Sequence, residues 1–354
     1  MVDNSGKILN KVKPGRIIWP LLIGAGITVY LFRDIDFKAF SLLEITMASS
    51  VFLFLAFLLM VIRDFGYIWR LRLLSNGELS WQKCLSIVML WEFTSAITPS
   101  AVGGTSVAIF FVNKEGVTLG RSSAIVLMTS LLDELYFVIT FPLIILLIGG
   151  TGLFSFGDSD ADIWYKSHFF IIALTGYSLK LIYSLIVFYG LFVNPRGLKW
   201  LLLMIFKLPI IRKWRPQARE SGDDLIKASL EFRTWPFKNW LKAFLATAIS
   251  WTARYWVVNA LILFLFGYSY LNSTSHIMVF GKQFIMWIMM LITPTPGGSG
   301  FAEVIFKEFL NGNLPQGLET VVALLWRMVS YYPYLIIGAI VIPRWIKRHF
   351  VHLQ

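Results

Sequence analysis

The chain has 354 residues, of which 57% are hydrophobic and only 15% charged, yet it carries a net charge of +12. A mean hydropathy of +0.68 excludes an ordinary soluble domain and points to a polytopic membrane protein. In that setting the positive balance fits positive-inside topology and contact with anionic headgroups rather than nucleic acid, and the lone Cys84 excludes an internal disulfide.

Lys7, Lys11, Lys13 and Arg16 precede an apolar run at Ile17–Phe32, which lacks a small-residue cleavage site and reads as the first span. Ile45–Ile62 reads as the second, with Arg63, Arg70 and Arg72 after it marking a cytoplasmic end. Cys84–Val112 is apolar but interrupted by Thr98-Pro99-Ser100-Ala101-Val102-Gly103-Gly104-Thr105. Proline lacks the amide hydrogen and glycine weakens a helix, so this stretch is expected to be a hairpin that enters and leaves from the cytoplasm. Ser122–Ile148 is the third span, with Asp133 and Glu134 near its centre.

The loop at 149–165 holds Asp158, Asp160 and Asp162 without Lys or Arg before Tyr165, so it is expected outside. It lacks the glycine and closing glutamate of a calcium loop. His168–Val193 is the fourth span and carries Lys180. Residues 194–239 are basic and rich in tryptophan, which predicts amphipathic helices on the inner leaflet. Leu241–Phe266 is the fifth span, centred on Arg254.

Ile277–Leu310 is a second broken hairpin, interrupted at Thr293-Pro294-Thr295-Pro296-Gly297-Gly298-Ser299-Gly300, with Lys282 before the break and Glu303 just after it. Glu319–Ile342 is the sixth span and contains Arg327; Arg344, Lys347 and Arg348 then place the C-terminus in the cytoplasm. The expected fold is therefore all-α: one integral domain of the plasma (inner) membrane with six full spans, two oppositely oriented re-entrant hairpins and both termini cytoplasmic. Residues 17–148 and 168–342 repeat the order span, span, hairpin, span from opposite faces, the pattern of an inverted repeat.

The chemistry is expected where charge meets bilayer depth, because an ionisable group there costs at least ~2.5–3.5 kcal/mol. Glu92, Asp133, Glu134 and Glu303 stand against Lys180, Arg254, Lys282 and Arg327. They could be structural ion pairs or coupling groups, with an arginine neutralising Asp133, Glu134 or Glu303. Alternatively Arg254 and Arg327 bind a phosphate, since arginine stays charged when desolvated and forks onto two oxygens. A half-helix starting after Gly297-Gly298 would present free amides and a positive dipole to the same anion, although glycines also permit close packing. His168, His276, His349 and His352 show no zinc spacing, and no nucleophile–base pair or Walker A sequence is present, so no catalytic residue, metal or cofactor is expected.

Thr-Pro-x-x-x-Gly-Gly-Thr at 98–105 and Thr-Pro-x-Pro-Gly-Gly-x-Gly-x-x-Glu at 293–303, followed by Trp326-Arg327, resemble the lysylphosphatidylglycerol synthase transmembrane-region family, also called the flippase-like domain. The resemblance covers roughly residues 15–345. Members of this family either carry a soluble aminoacyl-transfer domain after the membrane part or stand alone, and this sequence resembles the stand-alone form. Members often have an arginine in the span after the first hairpin, where this chain reads Asp133-Glu134. The resemblance implies movement of an anionic phospholipid or a polyprenyl-phosphate-linked lipid between leaflets. Arg254 and Arg327 would hold the phosphate, and Gly103, Gly104, Thr105, Gly297, Gly298, Ser299 and Gly300 would line the site. The alternatives are an intramembrane lipid-headgroup transferase and a non-catalytic scaffold for an envelope enzyme. An anionic lipid is the expected partner, with a second copy of the chain or a separate lipid-modifying enzyme as further ones.

Overall fold

The computed structural model describes residues 43, 45–98, 101–154, 161–207, 212, 215–267, 273–290, 301–310, 314 and 318–350, and among these it is all helical. The first predicted span, the glycine-rich break at 291–300 and the side chain of Glu303 lie outside the described residues. Five described segments are long and apolar enough to cross a membrane: Ser50–Leu74, Leu119–Ile148, His168–Val193, Phe237–Phe266 and Glu319–His349.

The first half comprises α1 (Ser50–Leu74), α2 (Trp81–Ile97), α3 (Ala101–Lys114) and α4 (Leu119–Ile148), followed by the short α5 (Gly150–Phe154). Then come α6 (His168–Phe188), α7 (Pro195–Ile205) and α8 (Arg215–Arg233). They are followed by α9 (Phe237–Phe266), α10 (Ser273–Met289), α11 (Phe301–Leu310), α12 (Glu319–Ser330) and α13 (Tyr332–Phe350), which with α6 make up the second half. Ser80 caps α2 by accepting from the Lys83 amide, and Asn194 caps α7, which has Pro195 in its first turn. Gly149 and Gly267 end α4 and α9 with positive φ, which a side chain would resist.

The first correction concerns α1. It does not stop at Ile62 but continues twelve residues to Leu74, so Arg63 and Arg70 are mid-helix groups rather than end anchors. The helix is inverted relative to a soluble amphipathic helix. Arg63, Tyr67 and Arg70 share one face at i, i+4, i+7 and point inward, whereas Phe54, Leu58, Val61 and Phe65 are exposed on the other.

The second correction concerns the last predicted span, which is two helices meeting at Tyr331. The cause is Pro333, which cannot donate to the carbonyl four residues back and collides with it. α13 then packs on α2, and its Trp345 donates to Glu115, just past α3, at 2.8 Å.

α9 is the central element: 67% of its apolar window is buried, against 22% for α1, 33% for α4 and 28% for the fourth span. It packs chiefly on α1. Ser250 donates to the Arg63 carbonyl and Arg70 donates to Thr247, so the two helices run antiparallel. Close approach depends on small residues: a Cβ on Gly66 would stand 2.1 Å from the Ser250 hydroxyl and 2.7 Å from the Ala246 carbonyl.

The 194–239 segment divides in two. α7 exposes Trp200, Leu201 and Met204, an apolar face suited to a bilayer interface. α8 instead docks on α4, where its backbone at Ser221 and Leu225 crosses against Gly120, and Glu231 accepts from Arg121.

Candidate functional site

The polar groups of the interior gather where α1 crosses α9. Arg63 is sealed from solvent and holds two carboxylates, Asp64 on its own helix at 3.1 Å and Glu92 on α2. The Tyr334 hydroxyl, on α13, donates to both Asp64 oxygens at 2.9 and 2.8 Å. Two turns along α1, Arg70 forks onto Asp133 of α4 at 2.5 and 3.1 Å and also reaches Thr247. Trp251 completes this second cluster by donating its indole N–H to Asp133 at 2.7 Å. Tyr67 sits between the two, its ring 5.0 Å from each guanidinium carbon. A third pair, Lys180–Glu134 at 3.0 Å, joins α6 to α4, with the ammonium 4.2 Å from the centre of the Phe137 ring.

Arg254 is different. Its guanidinium carbon lies 4.1 Å from the centre of the Trp287 ring and 5.5 Å from that of Trp251, and it makes neither an ion pair nor a hydrogen bond among the described residues. A guanidinium over a ring uses its face and leaves its five N–H donors pointing outward in the plane. Asp64, Glu92 and Tyr67 lie within electrostatic reach of it without touching it.

The structure thus brings Glu92, Asp133, Glu134 and Lys180 into ion pairs, and Asp133 pairs with Arg70 rather than with Arg254 or Arg327. Arg327 is buried on α12 over Tyr331 and Trp326, at 4.6 and 5.2 Å. Lys282 is buried on α10. Gly104 is not at a break but inside α3, where an added Cβ would lie 2.3 Å from the Ser95 hydroxyl of α2. Gly103 and Thr105 share that helix, and Gly297–Gly300 fall outside the described residues.

Asp64, Tyr67, Tyr334, Trp251 and Trp287, together with Arg63 and Arg70, are the site residues that sequence reasoning missed. One signal was available: an Arg-x3-Tyr-x2-Arg spacing repeats on a helical face, whereas basic anchors at a membrane edge need no such register.

An all-helical chain with membrane-length helices and charge clusters in its interior is an integral membrane protein. The match to the family of lysylphosphatidylglycerol synthase TM regions runs over residues 17–338, and the chain belongs to that family. It is similar to a UPF0104 membrane protein of Archaeoglobus fulgidus, 28% identical over 348 residues that cover 94% of this chain and 98% of that one. No solved structure matches it.

Proposed function

We propose that the protein moves an anionic phospholipid or polyprenyl-phosphate-linked lipid between the leaflets of the plasma membrane, and that Arg254 holds the phosphate. The observation that carries this reading is the contrast within one site: Arg63 and Arg70 are held by carboxylates, while Arg254 is fixed by aromatic rings with its donors unclaimed among the described residues. A phosphate diester supplies the oxygens such a fork accepts. Arg327, the junction between α2 and α3 and the glycine-rich stretch at 293–300 complete the path in this reading.

The same reading takes the architecture as six crossings with two re-entrant hairpins in an inverted repeat, both termini cytoplasmic. The packing supports it. α1 contacts α2 and α4 as α9 contacts α10 and α12, α2 lies against α3 as α10 lies against α11, and α3 against α4 as α11 against α12. An antiparallel α1–α9 pair at the centre is what a two-fold axis in the membrane plane requires.

The test is transbilayer movement of a fluorescent phosphatidylglycerol in vesicles containing the purified protein. Wild type moves the lipid and Arg254→Gln does not, although both fold. Equal rates for the two proteins would remove Arg254 from the path. A chemically new lipid in the product mixture would instead identify a headgroup transferase.

A further inference from the structure

The cluster on Arg63 carries an unbalanced charge that the phosphate site does not use. One guanidinium serves two carboxylates, Asp64 and Glu92. Among the described residues, the other charged or titratable groups facing it come from four elements. Tyr67 and the internally balanced Arg70–Asp133 pair come from α1 and α4, Arg254 from α9 and Tyr334 from α13. Arg63 is 1% exposed at its side chain, but Asp64 and Glu92 keep 17% and 23%, so the acids retain a partial exposure that their arginine lacks. Among the described residues the Arg63 Nε and Nη2 are buried without a hydrogen bond; Nη1 donates to Asp64 and Nη2 meets Glu92 as an ion pair.

We propose that Asp64 and Glu92, bridged by Arg63, form a proton-binding site, and that its occupancy is coupled to the anion held at Arg254. A proton fits where a metal ion does not. Arg63 already occupies the bridging position between the carboxylates, and a second multivalent cation beside it would be repelled, whereas a proton needs no coordination shell. The step is a simple one: a proton joins one carboxylate, and the pair passes from one excess negative charge to none.

The coupling is electrostatic. With the site empty, the positive charge of Arg254 balances the excess carboxylate. When a phosphate neutralises Arg254, that balance is lost and a proton is taken up. By reciprocity, protonation of the pair strengthens anion binding by the same factor, so lipid and proton travel together. This coupling rests on the reading of Arg254 as the phosphate ligand; the proton site itself rests on the Arg63 geometry alone.

The experiment uses the full chain in nanodiscs, made of phosphatidylcholine with or without phosphatidylglycerol. Infrared difference spectra across acidic to neutral pH read carboxyl protonation, a pH dye in weak buffer reads proton uptake, and native mass spectrometry reads lipid binding. In wild type a protonated-carboxyl band appears on acidification, and Asp64→Asn or Glu92→Gln removes or displaces it. Tyr334→Phe, which deletes only the hydroxyl on Asp64, keeps the band but changes the pH at which it appears. A band unchanged in all three variants overturns the proton site, whatever the lipid does.

Adding phosphatidylglycerol should drive proton uptake by wild type and not by Arg254→Gln. If wild type binds the lipid without taking up a proton, the coupling is overturned. If wild type does not bind it at all while the carboxyl band behaves as expected, the phosphate reading of Arg254 fails and the proton site stands.

Discussion

Arg70 and Arg254 lie on the two helices that form the centre of the molecule, and both guanidiniums are near Trp251, yet their surroundings differ in kind. Arg70 is enclosed by Asp133 and Thr247, with only its buried Nε left without a partner among the described residues, and Asp133 has a further donor in Trp251. Arg254 is held by the faces of Trp251 and Trp287 and by nothing that would compete with an anion among the described residues. Charge at bilayer depth therefore has two uses in one fold. A neutralised pair fastens helices, and on the reading proposed above a cation seated on rings holds a ligand.

The largest expected effect comes from breaking the fastened side. Arg70→Gln or Asp133→Asn leaves a buried charge without its partner and should cost about 3–5 kcal/mol. Thermal unfolding of the detergent-purified variants would show this, and the double variant should recover most of the loss. An additive double variant would mean that the pair contributes nothing as a pair.

Gly66 tests how closely the two sides must approach. Gly66→Val drives a side chain into Ser250 and the Ala246 backbone, and should cost about 1–3 kcal/mol through overpacking. Unfolding midpoints of Gly66→Ala and Gly66→Val should fall in that order, and a tolerated valine would show that the α1–α9 contact can open.

On the ready side, Arg254→Gln loses a cation–π contact and should cost only about 0.5–2 kcal/mol. Its expected signature is instead the loss of the added stability that phosphatidylglycerol should give wild type if it binds the folded state. Arg254→Lys keeps the charge without the planar fork and should fall between the two. Equal lipid stabilisation of all three proteins would erase the distinction from Arg70.

The smallest effect belongs to an exposed pair of the same chemistry, Lys199–Asp223, between α7 and α8. The hydrogen bond from Lys199 holds the Asp223 carboxyl below its ordinary value. Its contribution is present above the unfolded carboxylate range and is lost as pH falls through the folded one. Lys199→Gln should leave the unfolding midpoint at neutral pH nearly unchanged, because water screens an exposed pair. A large drop would place α7 and α8 among the elements that hold the core.

What could be read in the sequence follows the range of the interactions. Apolar runs are local, so the cores of α4, α6 and α9 were found with end errors of a few residues. Thr98-Pro99-Ser100 is local too, and α2 ends at its C-cap Thr98. Pro333 carried the same signal but lies beside three tyrosines in an apolar stretch, and the break at Tyr331 went unforeseen. Arg63 and Arg70 were misplaced because a cation after an apolar run looks like an anchor. What buries them is Glu92 and Asp133, and the latter lies 63 residues from its arginine. No window along the chain contains that pairing, and only the helical spacing of Arg63, Tyr67 and Arg70 hinted at a shared inward face.

The broken last crossing has a mechanical consequence. α12 is gripped by α9 and α11 of the second half, while α13 is gripped by α2 and tied through Trp345 to the end of α3 in the first. Tyr331 itself is pinned by its hydroxyl to the Ala96 carbonyl, at the last turn of α2. One continuous stretch of chain is thus a crank with an arm packed on each group of helices and its bearing on the end of α2. Were one half to turn against the other, the joint beside Pro333 would take up the difference, because proline has no amide hydrogen to bridge to the carbonyl four residues back.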